Sequence, residues 1–134
     1  MNTGAGSAAD ATALRPLPRE HARRIAAAFL PGTLFGNRYH YYYARAKLRS
    51  DPLYPGVCAA LHGTRAPLLD LGCGLGLLAH ALAQDGIALR YRGVDNDARK
   101  IAAARRAATR AGLDDAGFET LDLSHALPPH RGSV

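Results

Sequence analysis

The sequence is poor in cysteine and contains no long apolar run. Its two cysteines, Cys58 and Cys73, are too few for a disulfide scaffold and lack the spacing of metal ligands. The six histidines are scattered and form no His-x-x-x-His pair, so we expect no metal site. No stretch approaches the length of about 18 apolar residues that a membrane span needs, so we expect no membrane partner.

The N-terminus lacks a basic segment followed by an apolar core, the two parts of a secretory signal. We therefore expect the protein to be cytoplasmic. Residues 1–15 are mostly small and polar, which predicts a disordered tail. The length of 134 residues suits one modest domain and not two.

The net charge is +6, and most of the basic residues are arginine. Such a charge is compatible with binding of nucleic acid or of an anionic substrate, or with solubility alone. In "ARKIAAARRAATR", Arg99, Arg106 and Arg110 share one helical stripe, and Ile101 and Ala104 lie on the opposite side. This pattern predicts a surface helix with a solvated charged face. Binding of nucleic acid has no support beyond the charge.

Residues 16–66 are predicted to form a helical segment. In "PREHARRIAAAFL" the apolar residues recur at the spacing of one helical face, and a Pro-Gly pair ends the pattern. Asn37 can cap a second helix, in which Tyr39, Tyr42 and Tyr43 share a face. The spacing favours tyrosines that belong to the core and keep their hydroxyl groups in water.

From residue 67 the pattern changes to alternating strands and helices. "PLLDL" is a short, almost wholly apolar run, typical of a strand buried on both faces of a parallel sheet. "ALRYRGVD" and "GFETLDL" predict two further strands, and the two intervening helices are predicted to end at Gly86 and Gly112. Asp97 is predicted to cap the second of these helices. The order β-α-β-α-β is half of a doubly wound α/β sheet, in which ligands bind at the carboxyl ends of the strands.

Three glycines, Gly72, Gly74 and Gly76, follow the first predicted strand and precede a helix. Glycine lets ligand atoms approach the backbone and adopts positive φ without strain, and the helix N-terminus offers unpaired N–H groups. The ATP-binding P-loop is excluded, because no lysine followed by serine or threonine comes after the glycines. The dinucleotide fingerprint G-x-G-x-x-G needs a third glycine where this sequence has Leu77, so binding of NAD or FAD is disfavoured.

The stretch "LLDLGCGLG" resembles the first motif of the class I, S-adenosylmethionine-dependent methyltransferases. In that family an acidic residue, here Asp70, one further residue and G-x-G-x-G follow the first strand. The family also has an acidic residue at the end of the second strand and an acidic or polar residue after the third, where this sequence has Asp95 and Asp122. The resemblance covers residues 67–129. It implies a Rossmann-like fold and S-adenosylmethionine as the cofactor.

In the family, the glycine loop lies against the amino-acid end of S-adenosylmethionine. The resemblance therefore implies that the backbone of Gly72, Cys73, Gly74 and Gly76 contacts this end of the cofactor. It also implies that Asp70 lies near the ammonium group of the cofactor or orders the loop. No base is paired with Cys73 in the sequence, which argues against a nucleophilic role for its thiol.

The remaining contacts that the resemblance implies are with the adenosine part of the cofactor. Asp95 would accept hydrogen bonds from both ribose hydroxyl groups, and Asn96 would border the ribose or the adenine. Asp122 would accept a hydrogen bond from the adenine amino group. The backbone N–H of Leu123 would donate to a nitrogen of the adenine ring.

The resemblance thus predicts a methyltransferase that leaves S-adenosylhomocysteine as product, with an unidentified methyl acceptor and unidentified catalytic residues. Family members often place N-terminal helices over the cofactor pocket, which gives Tyr39, His40 and Tyr43 an alternative role against the substrate. A second hypothesis is a noncatalytic nucleotide-binding or interaction module on the same half-Rossmann scaffold. A third is an NAD-dependent oxidoreductase, which Leu77 disfavours.

The predicted organisation is a tail over residues 1–15, a helical segment over 16–66 and the S-adenosylmethionine-binding half of a Rossmann-like domain over 67–134. In the family a fourth strand lies beside the first, and this sequence ends near the point where that strand would begin. We therefore expect an incomplete domain in which "PLLDL" has one unpaired edge. An apolar strand with an open edge invites association, so we expect the isolated chain to be marginally stable or to aggregate.

Overall fold

The structure is a computed structural model that describes residues 16–122. Three parts of the prediction lie outside the described residues. They are the tail over residues 1–15, the loop predicted after the third strand, and Leu123. The helices and strands, in chain order, are α1 Arg19–Ala27, α2 Tyr39–Ser50, α3 Leu53–Leu61, β1 Leu68–Leu71, α4 Leu77–Gln84, β2 Tyr91–Asp95, α5 Ala98–Ala111 and β3 Ala116–Thr120.

The three strands form one parallel sheet with β2 in the centre. Leu68 of β1 pairs with Tyr91 of β2, which in turn pairs with Ala116 of β3. The helices α4 and α5 lie in the two crossovers, the arrangement that parallel neighbours require. The predicted fold class, three parallel strands with alternating helices that form half of a Rossmann-like sheet, is confirmed.

The strand register sorts the side chains of the sheet onto two faces. Asp70, Tyr91 and Phe118 lie on the face that packs against α5, and Tyr91 and Phe118 are buried there. Leu69 and Leu71 lie on the opposite face and are 58% and 51% exposed. The prediction that this strand is buried on both faces is therefore wrong for the described part of the chain, because its helices cover one face of β1 only.

The N-terminal helices form a layer beside the sheet, in which α1 packs against α2 and α4. Ala22 and Ala26 of α1 are buried in the core together with Ala44 and Leu48 of α2. Three of these four side chains are alanine, which lets the backbones of two helices approach closely. The contact between α1 and α2 therefore decides which side of α2 faces the core.

The tyrosines of α2 lie away from this contact. Tyr39, Tyr42 and Tyr43 are all exposed, and Tyr39 retains 65% of its accessible surface. The prediction that their rings belong to the core is therefore wrong. The close packing of the alanine side of α2 on α1 turns the tyrosine side outward.

Asp97 and Gly112 are confirmed as the residues that cap the two ends of α5, whereas Asn37 lies one position before Arg38, the N-terminal cap residue of α2, and bonds to the first turn of that helix. Asn37 Oδ1 accepts from the backbone N–H of Tyr39 at 2.7 Å, and Asp97 Oδ1 accepts from that of Arg99 at 3.0 Å. Gly112 ends α5 in the left-handed conformation with φ of 72°. None of the helices within residues 16–122 has the length and apolar character needed to cross a membrane.

The predicted charged stripe of α5 lies on the surface. Arg99, Arg106 and Arg110 are exposed, whereas Ile101 and Ala104 on the opposite side are buried. The prediction of a surface helix is therefore confirmed. Arg110 differs from a fully solvated residue, because its guanidinium donates hydrogen bonds to backbone carbonyl groups at the end of α1 and just after it.

Candidate functional site

The glycine loop joins the end of β1 to the start of α4. Gly72, Gly74 and Gly76 all have positive φ, of 72°, 58° and 76°. At Gly76 a Cβ atom would lie 2.4 Å from the ring of Phe118, so glycine is required there by both the backbone conformation and the packing. This explains the glycine at the third position of the motif without reference to a ligand.

The loop is held against the central strand by backbone hydrogen bonds. The N–H groups of Gly72 and Cys73 both donate to the carbonyl oxygen of Val94, at 2.8 and 3.0 Å. The backbone of Gly93 lies next to Cys73, and a Cβ at Gly93 would be 2.7 Å from Cys73 Sγ. A small residue at position 93 therefore lets the loop lie close to β2.

Asp95 is the group that joins the loop to the end of β2. Its Oδ2 accepts from the N–H of Gly74 at 2.9 Å, and its Oδ1 accepts from the N–H of Asp97 at 2.9 Å. A carboxylate has about four lone-pair positions, so each oxygen retains capacity for a further donor. The structure thus brings together the predicted loop and the predicted acidic residue.

The side of the loop that faces away from the core is open. A Cβ placed at Gly72 or at Gly74 would have no atom within 4 Å, in contrast to Gly76. Ligand atoms can therefore reach the backbone at these two positions without displacing protein atoms. This opening lies at the carboxyl ends of β1 and β2, where α/β sheets bind their ligands.

Asp70 lies under the loop and is oriented by a tyrosine. The hydroxyl of Tyr91 donates to Asp70 Oδ2 at 2.5 Å. Burial raises the pKa of Asp70 above its ordinary value, an effect that the hydrogen bond from Tyr91 opposes and the negative charge of Asp95 reinforces. This hydrogen bond joins β1 to β2 directly beneath the start of the loop, and both roles that the resemblance implies for Asp70 stay predictions.

Cys73 is a packed residue of the loop. Burial, together with the charges of Asp70 and Asp95, raises the pKa of its thiol to about 12. The thiol is therefore protonated at neutral pH and is not a nucleophile. This agrees with the absence of a partner base in the sequence.

The residues predicted to border the adenine lie at the same end of the sheet. Asn96 is exposed directly after Asp95, and the N–H of Leu121 donates to the backbone carbonyl of Asp95 at 2.9 Å. Asp122 follows this contact and is exposed. Leu123, the remaining predicted contact, lies outside the described residues.

Three residues that shape this site were not singled out from the sequence. Tyr91 orients Asp70, Gly93 makes room for the loop, and Phe118 fills the space beneath Gly76. All three share the face of Asp70 once the strand register is known. The alternation of side chains along β2 and β3 shows which residues of each strand share a face. Only the register between the strands shows that these residues lie on the same face as Asp70.

The tyrosine helix stands beside the glycine loop. Tyr39, His40 and Tyr43 border a cavity of about 110 Å³ whose other walls include Gly74 and Lys100. The structure therefore places the N-terminal end of α2 next to the loop, as the alternative role for these tyrosines requires. Within residues 16–122, no group of three or more histidine, cysteine or acidic side chains is arranged to hold a metal ion.

Comparison with known proteins identifies one family. Residues 63–132 match the family described as "Methyltransferase domain". Among solved structures, the chain is similar to a coclaurine N-methyltransferase bound to N-methylheliamine and S-adenosylhomocysteine, with 19% identity and a TM-score of 0.45. That match covers 88% of this chain and 34% of the other, so the chain spans about a third of the length of that protein. No curated protein matches the sequence.

Proposed function

Since the chain belongs to the methyltransferase-domain family, we propose that it binds S-adenosylmethionine at the glycine loop and transfers the methyl group to an acceptor. The match covers more than half of the sequence and includes the loop, Asp95 and Asp122. Residues 67–134 would form the cofactor-binding unit, and residues 16–66 would form the helical layer beside it.

The observation that carries the proposal is the position of Asp95. It is fixed by two backbone N–H groups, one from Gly74 and one from Asp97, and both oxygens retain free acceptor capacity. The two hydroxyl groups of a ribose are a matched pair of donors for such a carboxylate. Asn96 would then border the ribose or the adenine, Asp122 the adenine amino group and Leu123 a ring nitrogen.

The open side of the loop suits the amino-acid end of the cofactor. Gly72 and Gly74 leave their backbone accessible, and Asp70 is held nearby by Tyr91. S-adenosylmethionine contains no pyrophosphate, which agrees with a loop that lacks the P-loop lysine. The residues present therefore fit this cofactor.

S-adenosylmethionine supplies a methyl group activated by its positively charged sulfur. Transfer of this group to a nucleophilic atom of the acceptor would be an in-line displacement. Asp95 and the glycine loop would contribute by holding the reacting carbon in line with the acceptor, which supplies much of the acceleration in such displacements.

Isothermal titration calorimetry of the 134-residue chain with S-adenosylhomocysteine tests this proposal. We expect binding, and we expect Asp95→Asn to weaken it about 10-fold or more, because hydrogen bonds to a charged group are worth about 1.5–3 kcal/mol each. Asp114→Asn is the matched control, since it removes the same charge from an exposed residue in the loop before β3. Its affinity should equal that of the unmodified chain.

Titration with NAD under the same conditions distinguishes the alternatives. Binding of NAD without binding of S-adenosylhomocysteine would overturn the proposal in favour of an oxidoreductase. Binding of neither ligand by a chain with a folded circular dichroism spectrum would favour the noncatalytic module. An Asp95→Asn variant that binds S-adenosylhomocysteine as tightly as the unmodified chain would remove Asp95 from the site.

A further inference from the structure

Two adjoining cavities lie between α2 and α5. The first, described above, holds about 110 Å³ beside Gly74 and Lys100. The second holds about 450 Å³ and is bordered by the segment between α1 and α2 and by Arg106 of α5. Tyr39 and His40 border both cavities, so the two adjoin at these side chains, and we refer to them together as the depression beside the glycine loop.

The charge of this depression is positive. Lys100 and Arg106 form no ion pair with any carboxylate in the described part of the chain. None of the described residues that border either cavity is acidic. Arg110 also borders the larger cavity, but its guanidinium is engaged by backbone carbonyl groups. Lys100 and Arg106 are therefore the cations available to a ligand.

The wall next to the glycine loop is aromatic. The rings of Tyr39 and Tyr43 are nearly parallel, with centroids 6.1 Å apart and an interplanar angle of 22°. Both rings are exposed, so they are not used as core residues. Exposed tyrosines beside a cavity offer a flat apolar surface together with hydroxyl groups, which suits an aromatic ligand.

We propose that the methyl acceptor is a small aromatic molecule with an anionic group such as a phosphate or a carboxylate, held with its ring against Tyr39 and Tyr43 and its charge on Lys100 and Arg106. This inference rests on the proposed function, because it places the acceptor next to the loop that would hold the cofactor. The volume of the larger cavity, about 450 Å³, lies within the range of about 300–1,000 Å³ that is typical of small-molecule sites, which favours a small molecule over a polyanion.

The test uses phenyl phosphate as the probe and benzyl alcohol as its uncharged counterpart, each titrated into the full chain by calorimetry. Phenyl phosphate should bind and benzyl alcohol should bind much more weakly. Lys100→Gln and Arg106→Gln should each weaken the binding of phenyl phosphate about 10-fold or more, the loss expected for one charge-assisted hydrogen bond. Arg99→Gln is the matched control, because Arg99 is an exposed residue of the same helix that borders neither cavity.

Two further measurements separate this inference from the proposed function. Arg106→Gln should bind S-adenosylhomocysteine with unchanged affinity, and phenyl phosphate should still bind when the chain is saturated with S-adenosylhomocysteine. Charge-dependent binding of phenyl phosphate by a chain that does not bind S-adenosylhomocysteine would support the aromatic-anion site and contradict the proposed function.

The inference would be overturned by any of three results. These are absence of phenyl phosphate binding, equal binding by all three variants, and competition between phenyl phosphate and S-adenosylhomocysteine. Oligonucleotide binding that depends on Lys100 and Arg106, without phenyl phosphate binding, would do the same and indicate a nucleic-acid surface.

Discussion

His80 of α4 is a buried histidine that makes no polar contact through Nε2 with the described residues. Its side chain is 2% exposed and lies against the ring of Phe29, with centroids 5.5 Å apart. Burial lowers its pKa from 6.5 to about 4. At neutral pH the imidazole is therefore uncharged and acts as a core residue.

This pKa makes stability depend on pH. Between pH 6.5 and 4 the unfolded chain binds a proton at this position and the folded chain does not, so the free energy of unfolding should fall as the pH is lowered through this range. The loss attributable to His80 is about 3 kcal/mol, because one pKa unit corresponds to about 1.4 kcal/mol. Urea unfolding at several pH values between 7.5 and 4 measures it.

His80→Leu is the informative variant, since it keeps an apolar side chain of similar size and removes the titrating group. Its stability should change much less than that of the unmodified chain between pH 6.5 and 5. His62→Gln, at an exposed residue just after α3, serves as the control and should leave the pH dependence intact. An unmodified chain whose stability is constant from pH 7.5 to 5 would contradict this prediction.

The junction between the glycine loop and α4 is constrained both by its backbone conformation and by packing. Gly76 is the N-terminal cap residue of α4, with φ of 76°, and lies against Phe118 of β3. Its conformation is therefore imposed jointly by the loop, the helix and the third strand. Gly86, just after the same helix, has a similar φ of 74° but no atom within 4 Å of a Cβ position.

Alanine at these two glycines separates backbone strain from steric collision. Gly86→Ala should cost about 1–2 kcal/mol, the strain of a left-handed conformation in a residue with a Cβ. Gly76→Ala should cost about 1–3 kcal/mol more, because its methyl group would collide with the ring of Phe118. Chemical denaturation of both variants gives the two values.

Adding Phe118→Leu to Gly76→Ala should recover part of the additional cost, since a smaller side chain leaves room for the methyl group. Equal destabilisation by Gly76→Ala and Gly86→Ala would show that the contact with Phe118 does not constrain the loop. Both outcomes concern stability, so they can be measured without a ligand.

At the scale of elements, the sequence predicts the features that depend on residues close together in the chain. Asn37 and Asp97 could be identified because each side chain acts on helix N–H groups within three residues of itself. The strands and the glycine loop could be identified from apolar runs and the spacing of glycines. The hydrogen bond from Tyr91 to Asp70 could not, because it joins two strands 21 residues apart and requires their register.

At the scale of the whole molecule, the described chain covers one face of β1 and leaves the opposite face of this strand open, whereas Val94 of β2 on that same sheet face is buried. Leu69 and Leu71 stand on the open face, and within residues 16–122 the strand β1 pairs only with β2. An exposed apolar strand next to an unpaired edge is a template for association. The apolar side chains of Leu69 and Leu71, whose composition predicted burial, are therefore available for contact with another protein surface.

We expect the 134-residue chain to associate in a concentration-dependent manner. Replacing both leucines with threonine, a residue that favours strands and is polar, should shift the chain toward the monomer. Sedimentation velocity over a range of concentrations measures the change. Leu34→Thr is the control, because Leu34 is an exposed leucine in the segment between α1 and α2 and belongs to no strand. A chain that stays monomeric at every concentration would contradict the prediction.

The sequence by itself determined the order of strands and helices, the position of the glycine loop and the acidic residue that meets it. The order of elements follows from apolar periodicity, and the position of the loop follows from backbone conformations that glycine adopts most readily. The acidic residue is recognised because it stands at the end of a predicted strand. All three are local properties of the sequence. Only the tertiary structure decided which side of α2 is buried and that Tyr39 and His40 lie beside the loop. The physical reason is that the small residues between α1 and α2 allow close helix packing, and this contact between distant segments outweighs the apolar character of the tyrosines.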